Sequence, residues 1–219
     1  MAAALWTGKL SVTATLVGGF LSVMIFFGVG WVGITMMAVF FIIGTGTTSW
    51  GRNHKELLGL AQESKGRRNA GQVLANGGIA GLLGLLAIIF QDKTELFILL
   101  VAAAFSSATA DTVSSELGSI YGKRFYDVLS FKKGTRGEDG VISMEGVMFG
   151  IAGSIVIAAI YVIFVGWSNN FYWIVLAGTM GNFIDSLLGA TLERKQILGN
   201  DAVNFLNTAA AALFIWIVS

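Results

Sequence analysis

Residues 10–48 read LSVTATLVGGFLSVMIFFGVGWVGITMMAVFFIIGTGTT and contain no charged side chain. The hydrocarbon core of a bilayer is about 30 Å thick and takes about 20 apolar residues in helical form. The stretch is therefore long enough for two crossings. Gly28, Gly30 and Gly33 interrupt it at its middle, which leaves two arrangements open, a tight hairpin or one broken unit. The rest of the chain has the same character. Of its 219 residues 55% are hydrophobic and only 12% charged, and mean hydropathy is +0.75. Soluble domains carry about a quarter charged residues, so the bilayer is the solvent that suits this composition. We read one integral membrane domain over 1–219, all-α, a polytopic transmembrane helical bundle.

Spans are expected near 10–28, 31–48, 73–90, 95–110, 143–166, 172–191 and 202–218, about seven, with six and eight as the neighbouring counts. The fourth is short and runs directly into Ser106–Asp111. The first apolar stretch follows only Lys9 and has no small-residue cleavage pattern behind it, so it reads as a retained span, not a signal peptide. The loops set the orientation. All 14 lysines and arginines except Lys93 fall at the N-terminus or in segments 49–72, 111–142 and 192–201. Positive charge marks the cytoplasmic side, which places the N-terminus and these three loops inside and the C-terminus outside. A prokaryotic inner membrane is the simplest host. A net charge of +1 gives no electrostatic ground for a nucleic-acid partner, and the absence of cysteine excludes disulfides and a thiolate nucleophile.

Each charged loop abuts a helix end with a polar stripe. Asn69, Gln72 and Asn76 recur at helical spacing after Arg67 and Arg68. Ser107, Asp111, Ser114 and Ser115 share a face at the end of the fourth span, with Glu116 just beyond. Asn182, Asp185, Ser186 and Gly189 repeat the spacing in the sixth, and Asn200, Asn204, Asn207 and Thr208 in the seventh. Four helices thus present polar faces near one membrane surface. Asp185 is the sharpest single residue, because an ionisable group with apolar flanks inside a span is costly and is by default a functional candidate. Asp111 and Glu116, five apart, converge only if the helix ends or unwinds near Ser114. Carboxylates among hydroxyls and amides suit a hard cation such as Mg2+, held together with waters and substrate phosphates. Segment 132–140, with Lys132, Lys133, Thr135, Arg136, Gly137 and Gly140 before Ser143, is cationic and glycine-rich, a composition that lets backbone N–H groups and basic side chains meet an anion. It lacks the Walker spacing. His54, the single histidine, reads as a loop residue.

Five motifs occur in order: Gly66-Arg-Arg-Asn-Ala-Gly-Gln72-Val-Leu-Ala-Asn76-Gly; Ala110-Asp111-Thr-Val-Ser-Ser-Glu116-Leu-Gly118; Gly134-Thr-Arg-Gly137-Glu-Asp-Gly140-Val-Ile-Ser143; Gly181-Asn-Phe-Ile-Asp185-Ser-Leu-Leu-Gly-Ala-Thr191; and Asn200-Asp201-Ala-Val-Asn204-Phe. Over about residues 5–218 this set resembles the transmembrane protein 19-like family, a membrane domain whose characterised plant branch is phytyl-phosphate kinase. The chain departs from the family's usual pattern at Val113-Ser114 and at Gly137-Glu-Asp-Gly140, where two acids stand in the expected phosphate loop.

The resemblance implies transfer of phosphate from a nucleoside triphosphate, CTP foremost, to an isoprenyl monophosphate of phytyl or geranylgeranyl type. With it, Asp111, Glu116 and Asp185 are expected to coordinate Mg2+ or orient the acceptor. Arg67, Arg68, Lys132, Lys133 and Arg136 are expected to hold phosphates. Asn69, Gln72, Asn76, Asn182, Asn200 and Asn204 are expected to order the site, with Ser115, Thr135, Gly137, Gly140, Ser143 and Ser186 also binding substrate. The alternatives are an ion-coupled transporter of a small solute, and a related CTP-dependent prenol kinase or cytidylyltransferase. A transporter calls for polar residues through to the far side and for internal repeats, and the sequence has neither.

Overall fold

Gly30 decides how the first apolar stretch crosses. The computed structural model describes residues 8–60 and 66–219. In it, helix α1 (Val12–Ser49) is helical on both sides of Gly30, whose φ of 72° and ψ of −154° lie in a region open essentially only to glycine. A straight helix of that length would hold its ends about 57 Å apart. Instead Lys9 Nζ donates to Ser49 Oγ at 2.8 Å. The chain therefore doubles back, and limbs 12–29 and 31–49 are each about 27 Å long, enough for one crossing. Of the two arrangements left open by the sequence, the tight hairpin is the one formed. Six helices among the described residues have the length and apolar character to cross a membrane. With the first folded on itself, the bundle has seven transverse segments.

A short helix, α2 (Arg52–Leu57), follows. Then come α3 (Ala70–Ile89), α4 (Thr94–Tyr121), strands β1 (Phe125–Asp127) and β2 (Val141–Ser143), α5 (Met144–Val165), α6 (Asn170–Leu188) and α7 (Asn200–Val218). The end of α6 widens into a π-helical turn at Gly189–Glu193. Two boundaries differ from expectation. The fourth span does not stop before Asp111 but runs to Tyr121, because hydroxyls on its last turns bond back to the helix, as Ser115 Oγ does to Thr112 O at 3.2 Å. The loop before the fifth span contains a β-hairpin with Phe125 opposite Ser143 and Asp127 opposite Val141. Its strands are three residues each, too short for a period to be read.

α4 is the axis of the fold and packs against every other long helix. Its buried run Leu99-Leu-Val-Ala-Ala-Ala-Phe105 meets Ile25, Met36, Ile157, Ile174, Ala211 and Ile215. Lipid tails are as apolar as leucine, so helix association rests on close fit rather than on the hydrophobic effect. The limb 12–29 lies so near α3 that a Cβ on Gly28 would fall on the backbone of Gly84.

Long-range bonds gather the charged segments at one end. Ser11 N donates to Arg68 O at 3.0 Å, and Arg194 Nη1 donates to Asp127 Oδ2 at 2.9 Å. Of the described basic residues Lys93 alone stands at the opposite end; Lys65 lies outside the described residues.

Candidate functional site

At that end the polar stripes of α3, α4, α6 and α7 converge on a cavity of about 270 Å3, walled on one side by the hairpin segment 137–143. Asp111 from α4 and Asp185 from α6 lie carboxyl against carboxyl. The amide of Asn204 on α7 spans them. In the orientation that satisfies its neighbours, Nδ2 is 3.2 Å from Asp111 Oδ2 and 3.2 Å from Asp185 Oδ1, and Oδ1 accepts from Asn200 Nδ2 at 3.2 Å. Asn207, one turn deeper, donates from Nδ2 to the same Asp185 Oδ1 at 2.7 Å. Amide donors on the carboxyl oxygens offset part of the cost of burying two acids side by side.

Arg68 supplies the cation. Its guanidinium stacks 5.0 Å from the Phe40 ring centroid and 6.0 Å from that of Phe41. Burial lowers it to about 10, opposed by the nearby Glu116 carboxylate, so it is charged at neutral pH. No acceptor among the described residues takes a hydrogen bond from it, while it lines the cavity; five donors are thus available to a ligand. Asn76 adds an acceptor. It is 92% buried, its Nδ2 donates to Gln72 O at 3.0 Å, and its Oδ1 has no partner among the described residues. Among the described residues six carboxylates line the cavity (Asp111, Glu116, Glu138, Asp139, Asp185 and Glu193) against the single guanidinium of Arg68.

Not every expected residue is there. Glu116 lines the cavity but stands apart from the two aspartates. α4 stays helical through Ser114–Ser115, so positions five apart point differently, and Glu116 pairs with Lys55. Lys55 is 3% exposed and also donates to Thr47 O at 3.0 Å. Among the described residues no three His, Cys, Asp or Glu side chains come together as a metal site; the expected trio is reduced to a pair. Arg67 is exposed and donates to Leu10 O at 3.3 Å. Asn69 caps α3 in a reciprocal box with Gln72. Lys132, Lys133 and Thr135 are exposed on the hairpin loop and absent from the cavity wall. Arg136 is turned back onto its own loop, donating to Gly122 O at 3.0 Å and covering the Phe125 ring at 4.8 Å. Gln72, Ser115, Gly137, Gly140, Ser143, Asn182, Ser186, Asn200 and Asn204 do line the cavity.

Sequence reasoning missed Thr48, Glu193 and the buried Lys55, and noted Glu138 and Asp139 only as a departure from the family's loop without a role in the site. Glu193 continues the stripe of Asp185 and Gly189 by one more turn, a signal that was present. Lys55 offers none, since only its tertiary contact with Glu116 distinguishes it from a solvated loop lysine. Arg194 closes the hairpin over the site through Asp127 and Glu138 and the carbonyl of Asp139. The Ser130 N–H, then the Arg194 guanidinium and the Ser130 hydroxyl, hold the Asp127 carboxyl down at about 2.

The integral membrane protein DUF92 family matches residues 1–212. The protein named VTE6, chloroplastic, of Arabidopsis thaliana is 32% identical over 192 residues, which cover 84% of this chain and 57% of that one. An uncharacterized membrane protein of Synechocystis is 30% identical over 195 residues, 88% of this chain and 76% of its own. One from Methanocaldococcus jannaschii is 33% identical over 185 residues, with shares of 82% and 73%. No solved structure matches.

Proposed function

The chain belongs to the integral membrane protein DUF92 family, and from that premise we propose that it is an isoprenyl-monophosphate kinase. It transfers a phosphoryl group from a nucleoside triphosphate, CTP foremost, to a phytyl- or geranylgeranyl-type phosphate at the cytoplasmic face of the membrane. The observation that carries this reading is the Asp111–Asp185 pair set beside Arg68 in one cavity at the end of an apolar bundle. Such a place suits a substrate whose tail belongs in lipid and whose head is an anion. The family resemblance of the five motifs supplies the reaction class.

An oxygen of the prenyl phosphate attacks the γ-phosphorus of the nucleotide. The bond to the β-bridging oxygen breaks, and the nucleoside diphosphate leaves with that electron pair. The attacking oxygen is already ionised, so no general base is required, and catalysis is mainly positioning and charge neutralisation. Arg68 holds a phosphate by its planar fork. Asn204 and Asn200 keep the carboxylates in place, and Asn76 Oδ1 accepts from a bound group. Six carboxylates facing polyphosphates demand compensating cations. Mg2+ takes one or two carboxylates and completes its shell with waters and phosphates, a donor set that Asp111 and Asp185 provide; when bound it neutralises the phosphate charge.

Between the cavity and the far end the core is filled by Val101, Ala104, Ile157 and Ile174, which argues against a solute path through the bundle. The test incubates purified protein with a panel of prenyl monophosphates and four nucleotides, with and without Mg2+. Prenyl diphosphate and nucleoside diphosphate are expected, only with Mg2+. Release of pyrophosphate would identify nucleotidyl transfer instead, and solute flux in vesicles without nucleotide would sink the kinase reading.

A further inference from the structure

Beneath the cavity, out of reach of any substrate, a hydroxyl and an amide are joined to its floor. Ser107 on α4 and Asn207 on α7 are both 0% exposed. Ser107 Oγ donates to Asn207 Oδ1 at 3.0 Å, and Asn207 Nδ2 donates to Asp185 Oδ1 at 2.7 Å. The amide has only one workable orientation. The hydroxyl supplies the donor for its oxygen, and an ionised carboxylate can only accept from its nitrogen. Gly181 on α6 makes the junction fit, since a Cβ there would run into Ser107 Oγ and lie 3.1 Å from Asn207 O. Asn204 and Asn207 both take Oδ1 of Asp185; Oδ2 accepts from neither amide.

We propose that Ser107 and Asn207 form a positioning relay that fixes the Asp185 carboxylate with its second oxygen available to a divalent cation at the Asp111–Asp185 pair. The relay sets the affinity of the site for the cation and leaves nucleotide and lipid recognition to the cavity wall. This rests on the cation-dependent reading above and names a control that it does not contain. Partners behind a ligand typically change metal affinity by about 10- to 100-fold when removed.

The test is Mn2+ binding, followed by electron paramagnetic resonance on the full chain in detergent without substrate. Wild type is compared with Asn207→Leu and Ser107→Ala. Asn207→Leu is expected to weaken Mn2+ binding at least ~10-fold. Ser107→Ala keeps the amide but frees it to rotate, and is expected to weaken binding by a smaller factor. At saturating cation both should keep the wild-type KM for nucleotide. If Asn207→Leu does not fold, Ser107→Ala decides, because it removes a single oxygen. Mn2+ bound by wild type and equally by the variants would overturn the relay and leave the kinase reading standing. A wild type that binds no Mn2+ would overturn both the relay and the cation-dependent reading.

Discussion

In its first half, up to Phe105, α4 is surrounded by Ile25, Met36, Ile157 and Ile174. From Ser106 onward the same helix meets hydroxyls, amides and carboxylates: Ser106 Oγ on Ile174 O at 3.0 Å, Ser107 on Asn207, Asp111 against Asp185. One half is held by shape alone and the other by directed hydrogen bonds. The difference teaches where each kind of substitution will register. Changes in the apolar half alter how much protein folds, and changes in the polar half alter what the folded protein does.

The largest expected effect breaks the polar half. Asp185→Asn keeps the volume and the Asn204 and Asn207 contacts within reach but removes a charge. Turnover of prenyl phosphate is expected to fall ~100- to 1,000-fold, the cost of losing one preorganised electrostatic group, with the melting temperature close to wild type. Unaltered kinase activity would refute the assignment. Gly28→Val attacks the apolar half. The added side chain meets the Gly84 backbone, where overpacking costs about 1–3 kcal/mol. Detergent melting should show a less stable protein whose folded fraction has wild-type specific activity.

Arg68→Lys sharpens the contrast within the site, keeping the charge and losing the fork. A charged hydrogen bond is worth about 1.5–3 kcal/mol, so KM for a phosphate substrate should rise ~10-fold or more. Arg194→Gln probes the hairpin that covers the cavity. A carboxyl depressed on folding contributes stability above its unfolded value of about 4, and that contribution is lost as pH falls towards 2. Without Arg194, Asp127 returns part of the way towards the ordinary carboxylate range, so the melting temperature is expected to be lower than wild type at neutral pH and the difference to vanish as pH falls from about 4 to 2. The smallest effect belongs to Lys132→Gln with Lys133→Gln. Both lysines are exposed and outside the cavity, so KM should change only about twofold at low salt and not at high salt, as expected for long-range steering.

How far the chain could be read depended on whether a residue's role is local. The stripes Asn182–Asp185–Ser186 and Asn200–Asn204 follow from helical spacing, and the cavity contains them. Asp111 was legible for the same reason. Arg67 and Asn69 stand outside the cavity; a basic or polar residue before a helix looks the same in sequence whether it binds an anion, caps the helix or reaches a neighbouring carbonyl. Lys132, Lys133 and Arg136 were assigned by the composition of their loop, and composition does not say which way a hairpin turns its side chains.

By itself the sequence determined a membrane-spanning helical bundle of about seven segments and the crowding of basic loops at one end, since length, hydropathy and charge distribution are properties of segments. Only the tertiary structure decided that Gly30 makes a hairpin, that Glu116 answers to Lys55 and not to the aspartates, and that Asn207 and Ser107 stand behind Asp185. Each of these joins groups far apart in the chain, and what they do is set by packing geometry that no local pattern encodes.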